Sequence, residues 1–172
     1  MTTCWFHMDK GEKADRVWDI LEKHSVGMLT TRFAGGLRAR PLEARPDREA
    51  GIIYFVTDVR GLKDDEIEAD RTIGFVVVDE KENAYLSISG RAEVMRDSIQ
   101  AAKIWRKTDD VWWPGGPDDQ NVRVIRLEPS RAELWDGPKW KAVAMFEFAK
   151  AKLTGEKPNL GEKRKVTVDL KT

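Results

Sequence analysis

Short apolar segments separated by turn-forming residues run through most of this 172-residue chain. Several segments alternate apolar and polar residues as half-buried β-strands do, and the Gly35-Gly36 pair between the first two is typical of a hairpin turn. Six or seven such strands, punctuated by short helices, predict a mainly β protein built as an antiparallel barrel. The predicted strands span residues 25–33, 37–44, 52–57, 72–78, 84–96, 122–128 and 131–135.

Two residues indicate where this barrel bends and where it has an edge. Gly90 falls in the middle of the strand at 84–96, which predicts a β-bulge or a barrel bend. Pro41 falls inside the strand at 37–44 and has no N–H. That strand is therefore predicted to be an edge or to bulge at Pro41.

Two strands are nearly continuous apolar runs, and the last two are separated by a proline. The runs at 52–57 and 72–78 predict burial on both strand faces. Pro129 predicts a break between the strands at 122–128 and 131–135.

The helices predicted around the barrel are short. Apolar residues at helical spacing predict an amphipathic helix with an inner face of Ala14, Val17, Trp18 and Leu21. Residues 63–69 predict a short acidic helix. Asp97 is a predicted N-cap for a helix whose inner face would carry Ile99, Ala102 and Trp105. Pro138 suits the start of a closing helix with one face formed by Trp140, Ala144, Phe148 and Ala151.

The length predicts one domain, at residues 14–153, between an N-terminal arm at 1–13 and a C-terminal arm at 154–172. Lysine plus arginine equals aspartate plus glutamate at 30 each, which argues against a nucleic-acid or membrane-surface partner. Cys4 is the only cysteine, so no intrachain disulfide can form, and a reducing cytoplasm is expected. No signal-peptide-like run and no stretch of about 18 apolar residues appears.

Four polar side chains form a candidate phosphate site. Arg38 and Arg40 are two residues apart on one strand and should point the same way. Thr57 ends the next strand, and Lys63 follows in the loop. Arginine grips phosphate bidentately and lysine binds it as a point charge. Taken alone, however, these residue types favour ordinary solvated side chains.

The order of the motifs changes that interpretation, because it resembles the FMN-binding split barrels related to pyridoxamine 5′-phosphate oxidase, and within them the bacterial general stress protein branch. The matching segments are Arg40-Pro41-Leu42, Phe55-Val56-Thr57, Lys63, Ser87-Ile-Ser-Gly-Arg-Ala92, Trp112-Trp-Pro-Gly-Gly-Pro-Asp-Asp119 and Leu134-Trp-Asp-Gly137. Gly61 stands where a serine is often found in these proteins.

The resemblance implies a split β-barrel and a homodimer whose subunits together build the flavin site. It also implies that backbone groups around Leu42 and Val56 face the flavin ring, that Lys63 binds the phosphate, and that Trp113 stacks on the ring. The cofactor-binding residues expected from it are Arg38, Arg40, Pro41, Leu42, Phe55, Val56, Thr57, Lys63, Trp113 and Trp135.

The expected function is that of an FMN-binding general-stress-type protein, either a flavin carrier or a flavin-dependent reductase of unknown substrate. One alternative is a pyridoxamine-phosphate oxidase, although the arginine-containing C-terminal segment of those enzymes has no match here. Another is a split-barrel dimer that binds a different ligand, such as a deazaflavin or haem, or none.

No catalytic residue is assigned. His7 and His24 are the only histidines. A favourable interaction with the dipole at the C-terminal end of the first helix explains a histidine at position 24 without a catalytic role. The acidic run at 64–68 is interpreted as a solvated helix face and not as a metal site.

Overall fold

The computed structural model describes residues 10–60, 63–136 and 164–170, together with positions 150, 152, 153 and 155. Three helices and seven strands are assigned within these residues. In chain order they are α1 (Lys10–Lys23), β1 (Val26–Phe33), β2 (Gly36–Asp47), β3 (Ile52–Asp58), α2 (Lys63–Ala69), β4 (Thr72–Asp79), β5 (Ala84–Met95), α3 (Ser98–Ile104), β6 (Val122–Asp136) and β7 (Arg164–Asp169).

The strands form one antiparallel sheet that closes on itself. Their order is β3-β2-β1-β4-β5-β6-β7, and an additional pairing of β3 with β6 closes the first six into a barrel. The predicted antiparallel barrel is therefore confirmed. The chain between α3 and β6 forms two 3₁₀ turns, at Lys107–Val111 and Gly116–Asp118. No helix in the described residues is both long and apolar enough to cross a membrane.

The C-terminal half of the barrel differs from the sequence prediction in two respects. The break predicted at Pro129 was wrong, because β6 is one strand. Pro129 lies opposite Gly90, where the β5–β6 register shifts, and β6 changes its second partner from β3 to β7 at the same point. A proline is tolerated there because the ladder is already interrupted. The other difference is β7, for which the sequence analysis predicted no strand.

The main core fills the barrel and continues under α1. Phe55 and Phe75 meet edge to face, with ring centroids 5.0 Å apart, and both are fully buried. Val17 and Leu21 of α1 join this cluster, as their helical spacing predicted. A second cluster covers the opposite face of β3, so that strand is buried on both faces, as predicted. It contains Ile52, Tyr54, Val56, Ala101, Trp113, Val122 and Val124.

Two predicted burial patterns were wrong. β4 is buried on one face only, because nothing described covers its outer face, where Val76 is 38% and Val78 47% exposed. In α3 the buried residue is Ala101, whereas Ile99 is 73% exposed. A two-turn helix offers more than one stripe of apolar residues at helical spacing, and here the stripe with the small Ala101 packs against the sheet. Pro138 and the residues predicted for the inner face of the closing helix lie outside the described residues.

The packing at Gly90 generates a testable prediction. A Cβ atom there would lie 2.1 Å from the carbonyl oxygen of Glu128, so we expect Gly90→Ala to lower the free energy of unfolding by about 2 kcal/mol or more. Gly74→Ala is the matched control, because its Cβ would meet no atom closer than 3.8 Å. Urea unfolding followed by tryptophan fluorescence measures both. Equal stability of the two variants would show that the close approach at Gly90 does not exist.

Candidate functional site

The barrel contains a gap between β2 and β3. Residues 44–47 of β2 pair with residues 52–55 of β3, whereas residues 36–43 of β2 pair with β1. Beyond Phe55, β3 pairs only with β6 among the described strands. Two strand edges therefore face this gap with backbone groups. Pro41 lies in the stretch of β2 that β3 does not pair, which confirms its predicted position at an edge.

A cluster of four polar side chains lies beside this gap, where α2 contacts β1 and β2. Thr31 of β1 is the register partner of Arg38 of β2, and Arg40 is two residues further along β2. Arg38 Nη1 donates to Glu66 Oε1 at 2.6 Å, and Arg40 Nη2 donates to Glu66 Oε2 at 2.7 Å. The guanidinium of Arg38 also lies 4.5 Å from the ring centroid of Phe33. The prediction that both arginines share a strand face is confirmed.

Thr31 joins this cluster to the barrel interior. Its hydroxyl donates to Glu66 Oε2 at 2.5 Å and accepts from Arg40 Nη1 at 3.1 Å. Thr31 is itself buried, and Leu42, further along the face that carries Arg38 and Arg40, packs against the main core. The arginines therefore continue the inner face of β2 and are not on its solvated side.

Glu66 is an anion at neutral pH despite its burial. Burial acts to raise its pKa, but the hydrogen bonds from Thr31 and Arg40 and the charges of Arg40 and Arg38 outweigh it, so the pKa lies below the usual carboxyl value. Two guanidinium groups and one carboxylate leave a net charge of +1 on the cluster. The cluster can attract a second anion for this reason.

The other residues predicted for the phosphate end lie on β3 and α2. Thr57 is buried near the end of β3, and Lys63 is the first residue of α2. The side chain of Lys63 lies outside the described part. Phe55 is fully buried against Phe75, so only its backbone can meet a ligand, and Val56 packs into the second cluster on the other face of β3.

The loop between α3 and β6 that carries Trp112 and Trp113, here called the tryptophan loop, is anchored to the outer face of β3. Trp113 Nε1 donates to Asp58 Oδ2 at 3.2 Å, and the ring of Trp113 lies 6.0 Å from that of Trp105. Hydrogen bonds from Arg60 are the main reason that the pKa of Asp58 is far below the usual carboxyl value. A buried ion pair, Arg45 Nη2 to Asp109 Oδ1 at 2.9 Å, holds the start of the loop on β2.

Trp135 lies near the C-terminal end of β6. It pairs with Tyr85 of β5 and Lys165 of β7, whereas Arg123, the partner of Thr57, is twelve residues earlier on β6. Trp135 and the stretch of β6 that pairs with Thr57 are therefore at opposite ends of this long strand.

Sequence reasoning missed Glu66 and Thr31. The acidic run was interpreted as a solvated helix face, which is wrong for Glu66 because its side chain is 7% exposed. No local signal in the sequence separates Glu66 from the other acidic residues of α2. Thr31 lies among alternating strand residues, where a threonine is common. The described residues contain no group of three or more histidine, cysteine, aspartate or glutamate side chains placed to hold a metal ion.

Comparison with known proteins gives the family. The sequence profile of the family described as "Pyridoxamine 5'-phosphate oxidase like" matches residues 12–159. The chain belongs to this family. General stress protein 26 of Bacillus subtilis (strain 168) is 28% identical over 131 residues, which are 74% of this chain and 91% of that protein.

Solved structures agree with this assignment. A protein of Jannaschia sp. CCS1 that carries the general stress protein 26 name superimposes with a TM-score of 0.72 at 29% identity, covering 94% of this chain and 99% of its own. The general stress FMN/FAD binding protein of Xanthomonas citri shares the fold, with a TM-score of 0.64 at 24% identity, covering 73% of this chain and 89% of its own. The chain is thus a split barrel of the general stress protein branch.

Carboxylates with lowered pKa values predict acid sensitivity. The pKa values of Asp58, Glu66 and Asp79 are lowered in the folded protein. A carboxyl group whose pKa is lower in the folded than in the unfolded protein stabilises the folded state above its unfolded pKa of about 4. This stabilisation is lost as the pH falls towards the folded pKa. We expect the free energy of unfolding to decrease between neutral pH and about pH 3.

Urea unfolding across that pH range measures this decrease. The profile of Glu66→Gln should be flatter than that of wild type, whereas Glu68→Gln, at an exposed position of the same helix, should retain the wild-type profile. A Glu66→Gln profile parallel to that of wild type would contradict the assignment of Glu66 as a stabilising anion.

Proposed function

We propose that this protein binds FMN at the β2–β3 gap and acts as a flavin carrier or as a flavin-dependent reductase. The observation that carries the proposal is the pair of guanidinium groups of Arg38 and Arg40, held side by side next to two strand edges. Membership of the family supports it, as does the similarity in fold to the FMN/FAD binding protein of Xanthomonas citri.

The chemistry of the donors fits a phosphate-bearing flavin. The net positive charge of the Arg38, Arg40 and Glu66 cluster, with Lys63 at the start of α2, complements a phosphate dianion. Thr57 adds a hydroxyl, and the backbone of β2 and β3 around Leu42 and Val56 offers hydrogen-bonding groups to a flat ring. The bound flavin would supply electron or hydride transfer, whereas the chain supplies binding and orientation.

The proposal includes a cytoplasmic homodimer. The single cysteine fits a reducing compartment. The outer face of β1, β4 and β5 carries a stripe of exposed apolar residues, in which Met28 is the register partner of Val76 and Val78 that of Tyr85. Such a stripe on a sheet is typical of a subunit interface. In the shared-site arrangement that the family resemblance implies, the second subunit would complete the flavin site.

Binding of FMN to the cofactor-stripped protein tests the central assignment. We expect saturable quenching of flavin and tryptophan fluorescence, and we expect Lys63→Ala to weaken binding by about 1.5–3 kcal/mol, the usual contribution of a charge-assisted hydrogen bond. Lys81→Ala, at an exposed position of the β4–β5 turn, is the matched control and should bind as wild type does.

An unchanged dissociation constant for Lys63→Ala would overturn the phosphate assignment. A protein that ignores FMN and instead binds FAD, or a deazaflavin, would show that the flavin is a different one.

The dimer is tested by placing a charge on the apolar stripe. We expect wild type to sediment as a dimer and Val78→Asp to shift the population towards monomer, because a carboxylate in an apolar interface must lose its hydration. Ile99→Asp introduces the same charge on α3, which covers the opposite side of the barrel, and should remain dimeric. A monomeric wild-type protein at micromolar concentration would exclude the shared-site arrangement.

A further inference from the structure

We propose that Glu66 is a positioning residue for phosphate binding: its carboxylate holds Arg38 and Arg40 in the orientation in which their outer N–H groups receive the phosphate. The inference rests on the proposed function, because it states how the same site keeps its cations in place. It concerns a residue of α2 that the family resemblance did not single out.

Each carboxylate oxygen of Glu66 accepts a hydrogen bond from one of the two arginines. Oε1 accepts from Arg38 at 2.6 Å, and Oε2 accepts from Arg40 at 2.7 Å and from the Thr31 hydroxyl at 2.5 Å. A guanidinium carries five N–H donors in a fixed plane. Arg38 donates from one nitrogen to Glu66, and Arg40 donates from its two Nη atoms to Glu66 and Thr31. Each guanidinium therefore retains further N–H donors whose directions are already set.

The order of exposure favours positioning over competition. The side chain of Glu66 is 7% exposed, that of Arg40 18% and that of Arg38 38%. A phosphate that arrives from solvent meets the arginines before it meets the carboxylate. It can bind the outer edge of each guanidinium while Glu66 retains the inner edge, so ligand binding does not require the buried ion pairs to break.

Glu66 also reduces the side-chain conformational entropy that the two arginines lose when a ligand binds. Arginine has one of the most flexible side chains, and ordering it on binding weakens affinity. Here the interaction with Glu66 fixes both arginines, and the ring of Phe33 lies against Arg38. Glu66 is three residues after Lys63 on α2, so one short helix sets the backbone position of the lysine and the orientation of both arginines.

A comparison of two flavins in the full-length protein tests this inference. FMN and riboflavin share the ring system, and only FMN carries the phosphate. We expect Glu66→Gln to weaken FMN binding about tenfold or more, on the scale of one charge-assisted hydrogen bond, and to leave riboflavin binding within about twofold of wild type. Glu68→Gln removes the same charge from an exposed position of α2 and should change neither constant.

Arginine side-chain nitrogen NMR gives a readout that needs no flavin. In wild type and Glu68→Gln we expect slow guanidinium rotation and separate Nη signals for Arg38 and Arg40, and in Glu66→Gln averaged signals. Inorganic phosphate should shift these signals in wild type and do so more weakly in Glu66→Gln. If Glu66→Gln does not fold, Glu66→Asp keeps the charge on a shorter side chain and should show the same loss of preference for FMN over riboflavin.

The possible results separate this inference from the proposed function. Unchanged or tighter FMN binding by Glu66→Gln would overturn the inference, since it would make Glu66 a competitor or a bystander, and the flavin site would stand. If wild type binds neither flavin, the proposed function fails, and the phosphate titration decides the role of Glu66. Phosphate-dependent shifts that weaken in Glu66→Gln would support it, and their absence in wild type would overturn it.

Discussion

The pairing of β3 is the constraint on which the rest of the structure depends. One edge of β3 is bound to β6 over six residues, and this pairing closes the barrel. The other edge is bound to β2 over only four residues, so β2 and β3 are no longer paired beyond Ala44 and Phe55. A closed barrel normally has no free edges. Here closure and an accessible edge coexist, and the proposed flavin site lies at that edge of an otherwise filled barrel.

The charged cluster follows from where the gap lies. The inner face of β2 runs from the core residue Leu42 to Arg40 and Arg38 as the strand leaves β3, so the arginines replace apolar side chains where the barrel opens. Glu66 and Thr31 satisfy them from α2 and β1. A carboxylate as buried as that of Glu66 would be strongly destabilising without these partners. In the proposed site, stability and flavin binding depend on the same contacts, so substitutions at Glu66 are expected to affect both.

Much of the fold was predictable because it is specified by local patterns. The β1–β2 hairpin, whose turn is at residues 34–35 and not at the predicted Gly35-Gly36, depends on a few neighbouring residues. The same holds for the α1 face with Val17 and Leu21, the bulge at Gly90 and the edge position of Pro41. The one-sided burial of β4 was not predictable, because Val76 and Val78 look like core residues unless the topology is known. The continuity of β6 through Pro129 depends on its register against β5. These features belong to the tertiary arrangement and leave no local signal.

The candidate site also has features that were predictable from the sequence and features that were not. Two arginines two residues apart on one strand are visible in the sequence, and the structure brings their side chains together on one face. Their counter-ion is on a helix that follows an intervening strand, among other acidic residues, so only the fold distinguishes Glu66 from its exposed neighbour Glu68. Trp113 was visible as part of a motif, but its anchoring by Asp58 depends on the path of the loop. Long-range electrostatic pairing is thus the part of this site that sequence reasoning could not supply.

A crystal structure of the protein grown with FMN tests the central claim most directly, since the claim concerns where the phosphate lies. We expect the phosphate oxygens to lie within hydrogen-bond distance of Arg38, Arg40 and Lys63. We expect the ring to lie along the β2–β3 gap and Glu66 still to contact both arginines. Flavin density elsewhere on the barrel, or a phosphate that has displaced Glu66 from the arginines, would contradict it.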